Sequence, residues 1–128
     1  MQPHPPNSIR ILYIEDDRIL QASLSQMLTI LGYEVTCADN GKLGVEKAES
    51  WLPDVILTDI RMPIMTGDQA IRILRSKPAT AKIPIFVLSA YTDAKTRSLC
   101  KQVGATKFFA KPPDVHKIDA EIREIIKG

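Results

Sequence analysis

Six positions in this chain combine reactive side chains with a shared context. Glu15-Asp16-Asp17, Asp59, Ser89 and Lys111 directly follow four short apolar runs: Ile9–Ile14, Asp54–Thr58, Ile85–Leu88 and Lys107–Ala110. Acids gathered in one crevice repel, each like-charged pair costing about 4 kcal/mol at about 4 Å and an effective dielectric near 20. Either their pKa values rise or a cation binds. A carboxylate-rich, all-oxygen crevice open to water suits Mg²⁺, which keeps several waters and takes few protein ligands. Mg²⁺ and Lys111 together would seat a phosphoryl group. Asp59 can then act as a nucleophile that forms an acyl phosphate, and Ser89 can hydrogen-bond a phosphoryl oxygen. Such chemistry needs in-line positioning and charge neutralisation, which these residue types supply. Taken singly the residues say little: Asp17 serves equally well as a helix cap, a serine after a strand is commonly a turn hydroxyl, and a lone lysine is commonly solvated. Their joint placement at four strand ends carries the inference.

The elements that must position them follow from hydrophobic patterning. Ile9–Ile14 has strand length, and Leu20, Leu24, Met27, Leu28 and Leu31 recur at helical spacing up to Gly32, a C-cap. Glu34–Ala38 is a second, weaker strand, and Asp39-Asn40-Gly41 turns into a helix over Lys42–Ser50 that Pro53 stops. Asp54–Thr58 and Ile85–Leu88 read as strands buried on both faces. Between them Asp68 caps a helix carrying Ala70, Ile71 and Leu74. Asp93–Val103 is a helix stopped by Gly104, and Lys107–Ala110 is a short strand. Asp114 caps a last helix with Val115, Ile118, Ile122 and Ile125 on one stripe.

Five strands alternating with five helices specify an α/β fold, a doubly wound (βα)5 parallel sheet with helices on both faces. Right-handed crossovers favour the strand order 2-1-3-4-5. Ligands bind beyond the carboxyl ends of such sheets, where the order reverses, here between strands 1 and 3. The 128 residues make one domain, 9–128, behind a flexible proline-rich tail, 1–8. With 17 Lys+Arg against 15 Asp+Glu, neither disorder nor a wholesale nucleic-acid surface is indicated. No apolar run approaches the roughly 18–20 residues of a membrane span, and the start lacks a signal-peptide pattern, so a cytoplasmic location without membrane insertion is expected. Cys37 and Cys100 lack metal or disulfide spacing and read as small buried hydrophobes. His4 and His116 read as surface histidines, and Trp51 as packing at a helix end.

The sequence closely resembles the receiver domain of bacterial two-component response regulators, in the single-domain chemotaxis-receiver manner. ILYIEDD (11–17), DVILTDIRMPIMTG (54–67), IFVLSA (85–90) and GATKFFAKPP (104–113) carry the resemblance, which spans Ile9 to Lys127. It implies the flavodoxin-like fold and a phosphorelay role in which Asp59 takes a phosphoryl group from a sensor histidine kinase or histidine phosphotransfer protein. It implies Mg²⁺, with Mn²⁺ as a substitute, held by Asp16, Asp59 and the backbone carbonyl of Arg61, with Glu15 acting through a water. Ser89 matches the switch hydroxyl, Lys111 the lysine that pairs with the phosphoryl group, and Lys111–Pro112 a bond usually cis. Such a domain is a switch with intrinsic self-phosphorylation and self-dephosphorylation rather than a conventional enzyme. Its output is expected through the fourth helix, fifth strand and fifth helix, onto a downstream protein or a second copy on phosphorylation.

There are departures. Phe108 stands at the switch aromatic and lacks a hydroxyl, so it can swing inward but not hydrogen-bond there. Pro113 stands where an aromatic frequently follows the Lys-Pro pair. Arg61 and Tyr91 are bulky and are expected to hinder attacking water and prolong the phosphorylated state. Residues 94–128 carry eight basic and four acidic groups, against nine and eleven in 1–93. The excess fits a partner face, and equally ordinary solvated helix positions at Lys95, Arg97, Lys101, Lys117 and Arg123. No helix-turn-helix remains for direct DNA binding. A haloacid-dehalogenase-type phosphatase would want an acid at Arg61, and a flavin phosphate would be repelled by Glu15-Asp16-Asp17. A receiver-shaped scaffold that is never phosphorylated is opposed by the full set of site residues.

Overall fold

The computed structural model describes residues 8–127; His4 and most of the expected tail lie outside them. In chain order the elements are β1 (Arg10–Ile14), α1 (Arg18–Ile30), β2 (Glu34–Ala38), α2 (Gly41–Trp51), β3 (Val55–Thr58), α3 (Gly67–Ser76), β4 (Ile85–Ser89), α4 (Ala94–Val103), β5 (Lys107–Ala110) and α5 (Val115–Lys127). The five strands pair in parallel in the order β2-β1-β3-β4-β5, as the crossover rule requires.

Strand alternation divides the core in two. Leu12, Ile14, Ile56, Ile85 and Val87 face Val45, Ala48, Ile71, Leu74 and Cys100 from α2, α3 and α4. Ile11, Tyr13, Val55, Leu57, Phe86 and Leu88 face Leu24 and Leu28 of α1 and Ile118 and Ile122 of α5. The central strands β1, β3 and β4 are therefore apolar on both faces, which is why they read as unbroken runs. On α5 the expected stripe holds, with Ile118 and Ile122 buried and Val115 and Ile125 packed beside them. On α1 Met27 departs from its expected face and is 43% exposed. Cys100 is buried as expected, whereas Cys37 is only half-buried.

Helix ends follow local chemistry. Asp17 caps α1, accepting from the backbone of Ile19 and Leu20 at 3.0 and 3.1 Å. Asn40 caps α2 through Leu43 N–H at 2.9 Å. The start of α3 corrects the sequence reading: the N-cap is Thr66, whose backbone N–H donates to Gln69 Oε1 at 3.0 Å, and Asp68 lies in the first turn. There its charge faces the positive end of the helix dipole. Helix α1 ends on Leu31, one residue before the expected Gly32, and α4 on Gly104; both glycines hold φ near +105° and so release the chain toward the next strand.

Candidate functional site

Three carboxylates and an ammonium converge at the carboxyl end of the sheet. Parallel pairing aligns Ile14 with Thr58, so Glu15 and Asp59 leave adjacent strands side by side. Carboxylate oxygens of Glu15, Asp16 and Asp59 lie within 4.8 Å of one another. From the end of β5, Lys111 Nζ donates to Glu15 Oε1 at 2.9 Å and to Asp59 Oδ2 at 3.1 Å. The Lys111–Pro112 peptide bond is cis. Glu15 is buried, Asp59 half-buried and Asp16 exposed, so the cluster grades from a sheltered acid to a solvated one.

The backbone around Asp59 is held closely. Its Oδ1 accepts from Ile60 N–H at 2.7 Å. Gly67 N–H reaches back to the Ile60 carbonyl at 2.7 Å. A Cβ at Gly67 would stand 1.9 Å from the Asp59 carbonyl oxygen, so only glycine permits this fold-back. Within the same loop Ile64 adopts φ of 70°, a strained value for a β-branched residue.

Burial, opposed by the Lys111 hydrogen bond, pushes the Glu15 carboxyl above its ordinary range. Burial works against the Lys111 ammonium, but its hydrogen bonds to Glu15 and Asp59 and their charges outweigh it and raise the pKa. The ammonium therefore carries its charge throughout neutral conditions, and the cleft holds one cation against several acids. Such an all-oxygen, partly solvated set of Glu15, Asp16 and Asp59 fits Mg²⁺.

Ser89 is fully buried, and its hydroxyl is engaged locally. It accepts from Tyr91 N–H at 3.0 Å and donates to the Tyr91 carbonyl at 3.2 Å, the turn role weighed from sequence. Phe108 is half-buried, with the Arg97 guanidinium 4.5 Å over its ring. Arg61 and Tyr91, both expected from their bulk to shield the site, stack on each other with the guanidinium 3.9 Å from the ring centroid. His116 is exposed.

Two contributors escaped the sequence reading. Tyr13, buried on β1, donates its hydroxyl to Glu15 Oε1 at 3.3 Å. Gln21 Nε2 donates to the Glu15 carbonyl at 2.8 Å and to Asp39 Oδ1 at 3.1 Å, bracing the loop after β1. Two-residue alternation placing Tyr13 on the face of Glu15 was the available signal for the first. Two concavities lie elsewhere: about 410 Å³ along β2 and α2, and about 400 Å³ between the β3–α3 loop and α4. Neither is lined by any of the three carboxylates.

Fold and site together define a doubly wound α/β domain with an acidic, lysine-bridged cleft at its switch point. The family profile of the response regulator receiver domain matches residues 11–123, and the chain belongs to that family. Protein PilH of Pseudomonas aeruginosa is 33% identical over 119 residues, 93% of this chain and 98% of that protein. The regulatory protein AtoC of Escherichia coli is 30% identical over 92% of this chain, which spans only 25% of AtoC. Among solved structures, the receiver domain of a Pseudomonas aeruginosa sensor histidine kinase is 31% identical, covering 94% of this chain and 99% of that one with a TM-score of 0.88. That structure has a magnesium ion coordinated in its active site cleft. Among the described residues no helix is long and apolar enough to cross a membrane.

Proposed function

We propose that this receiver accepts a phosphoryl group on Asp59 from the phosphohistidine of a sensor histidine kinase or histidine phosphotransfer protein. The observation that carries the reading is the Lys111 bridge between Glu15 and Asp59, with Asp16 beside them. In the transfer an Asp59 carboxylate oxygen forms a bond to phosphorus as the phosphorus–nitrogen bond of the donor breaks. The electron pair leaves with the imidazole, which emerges as neutral histidine after taking a proton. Asp16, Asp59 and the Arg61 carbonyl would hold Mg²⁺, with Glu15 acting through water, and Mn²⁺ fits the same oxygen set. The bound ion supplies neutralisation of phosphoryl charge. Lys111 stays cationic and pairs with the group once it is attached, and Ser89 leaves its local turn to hydrogen-bond a phosphoryl oxygen.

Transmission runs through α4, β5 and α5. Ser89 ends β4, and Phe108 lies on the neighbouring strand, paired in register with Val87. Movement of Phe108 beneath Arg97 alters the surface offered to a downstream protein or a second copy. Incubation with a small acyl phosphate and Mg²⁺, followed by intact mass, tests the reading. A gain of one phosphoryl group is expected, dependent on Mg²⁺ and lost in Asp59→Ala. No gain, or a gain retained by that variant, would falsify it.

A further inference from the structure

Glu15 Oε1 is shared by two donors of different kinds. Lys111 Nζ holds it at 2.9 Å, and the Tyr13 hydroxyl stands 3.3 Å away, beyond the usual O–H···O length. The other oxygen, Oε2, accepts from Asp17 N–H at 3.2 Å. Tyr13 is fully buried in the core layer that also holds Leu24, Leu28, Phe86 and Ile118, and its hydroxyl meets Glu15. Burial first, then the charge of Glu15, pushes its phenol far above the ordinary range, so it remains a donor under all working conditions.

The same ammonium also donates to Asp59 Oδ2 at 3.1 Å. A phosphoryl group on Asp59 moves negative charge outward and increases it, and a lysine follows that charge. Glu15 Oε1 then loses its nearer donor, in a side chain only 1% exposed. A buried charged acceptor left without a donor is costly. Among the described residues the Tyr13 hydroxyl already stands 3.3 Å from this oxygen and can close to take the lysine's place.

We propose that Tyr13 is a positioning residue of the site: by satisfying Glu15 Oε1 it releases Lys111 to the phosphoryl group on Asp59. The proposal rests on the phosphoacceptor reading and adds to it a residue acting through Glu15 without touching the reacting atoms. Because the hydroxyl's contribution differs between the two states, it favours the phosphorylated state over the free one.

Tyr13→Phe keeps the buried ring and removes only the donor. Calorimetry in Mg²⁺ alone, and then with beryllofluoride as a phosphoryl mimic in saturating Mg²⁺, separates the two states. The variant is expected to keep Mg²⁺ affinity within about twofold and its Tm, while binding beryllofluoride about three- to tenfold more weakly, the weight of one net hydrogen bond. In a Lys111→Ala background the Tyr13→Phe effect should vanish, since no lysine is there to release. Equal beryllofluoride affinity in wild type and Tyr13→Phe overturns the proposal, as does a parallel loss of Mg²⁺ affinity, beryllofluoride affinity and Tm. Failure of the wild type itself to bind beryllofluoride with Mg²⁺ overturns the phosphoacceptor reading, and this proposal with it.

Discussion

Glu15 is the acid on which the local electrostatics turn. Its folded-state pKa lies above the ordinary value of 4.5 because burial outweighs the Lys111 hydrogen bond. Between those two values the native state keeps a proton that the unfolded chain has lost, so stability declines as pH rises through that window. Glu15→Gln removes the slope: without divalent ions, its Tm should change less than wild type as pH rises from 4.5. Urea or thermal melts across pH check this, and identical profiles would contradict the buried-acid assignment. Lys111, its pKa also raised, acts in the same direction in a higher window: its contribution is present below 10.5 and lost as pH climbs past its raised pKa. Arg61 and Tyr91 form one stacked unit, and an exposed cation–π pair contributes about 0.5–1 kcal/mol. Replacing both by alanine should speed loss of the phosphoryl group from Asp59 a few-fold in a radiolabel decay assay; an unchanged or slower rate counts against shielding of the site by this pair. Bulk at the two positions was visible in the sequence, but their contact was not, because it joins the β3–α3 and β4–α4 loops across thirty residues of chain.

At the scale of elements, the strand ends were legible because three strands are buried on both faces and so appear as apolar runs that stop where chemistry begins. Helix starts were less so. Asp17 could have served metal or backbone; its two hydrogen bonds to Ile19 and Leu20 assign it to the helix. Asp17→Ala should therefore cost about 1 kcal/mol of stability with Mg²⁺ affinity nearly retained, whereas a large loss of Mg²⁺ binding at unchanged stability would move this acid into the site. The start of α3 was misplaced by two residues because Thr66 and Asp68 are both good capping residues, and only the fold-back of the loop over Asp59 selects the first. Gly67 makes that fold-back possible, and its reason lies in a 1.9 Å approach that no local pattern encodes.

Across the whole molecule, net charge says little and its placement says much. Acids collect where β1 and β3 end, in a protein whose two hydrophobic layers are otherwise continuous. That concentration of repulsion makes the free domain responsive to cations: Mg²⁺ at about a hundred times its Kd should stabilise it by about 2.7 kcal/mol. Asp16→Asn, altering an exposed acid, should leave the metal-free Tm near wild type and abolish most of the Mg²⁺ increment; an undiminished increment would place the ion elsewhere. The destination of the phosphoryl group can be read directly. Borohydride reduction of the chain treated with acyl phosphate and Mg²⁺, followed by peptide sequencing, converts an aspartyl phosphate to homoserine at its own position. Homoserine is expected at residue 59 and only when Mg²⁺ is present; homoserine at residue 16 or 17, or phosphate stable to reduction on Ser89, would contradict Asp59 as the acceptor.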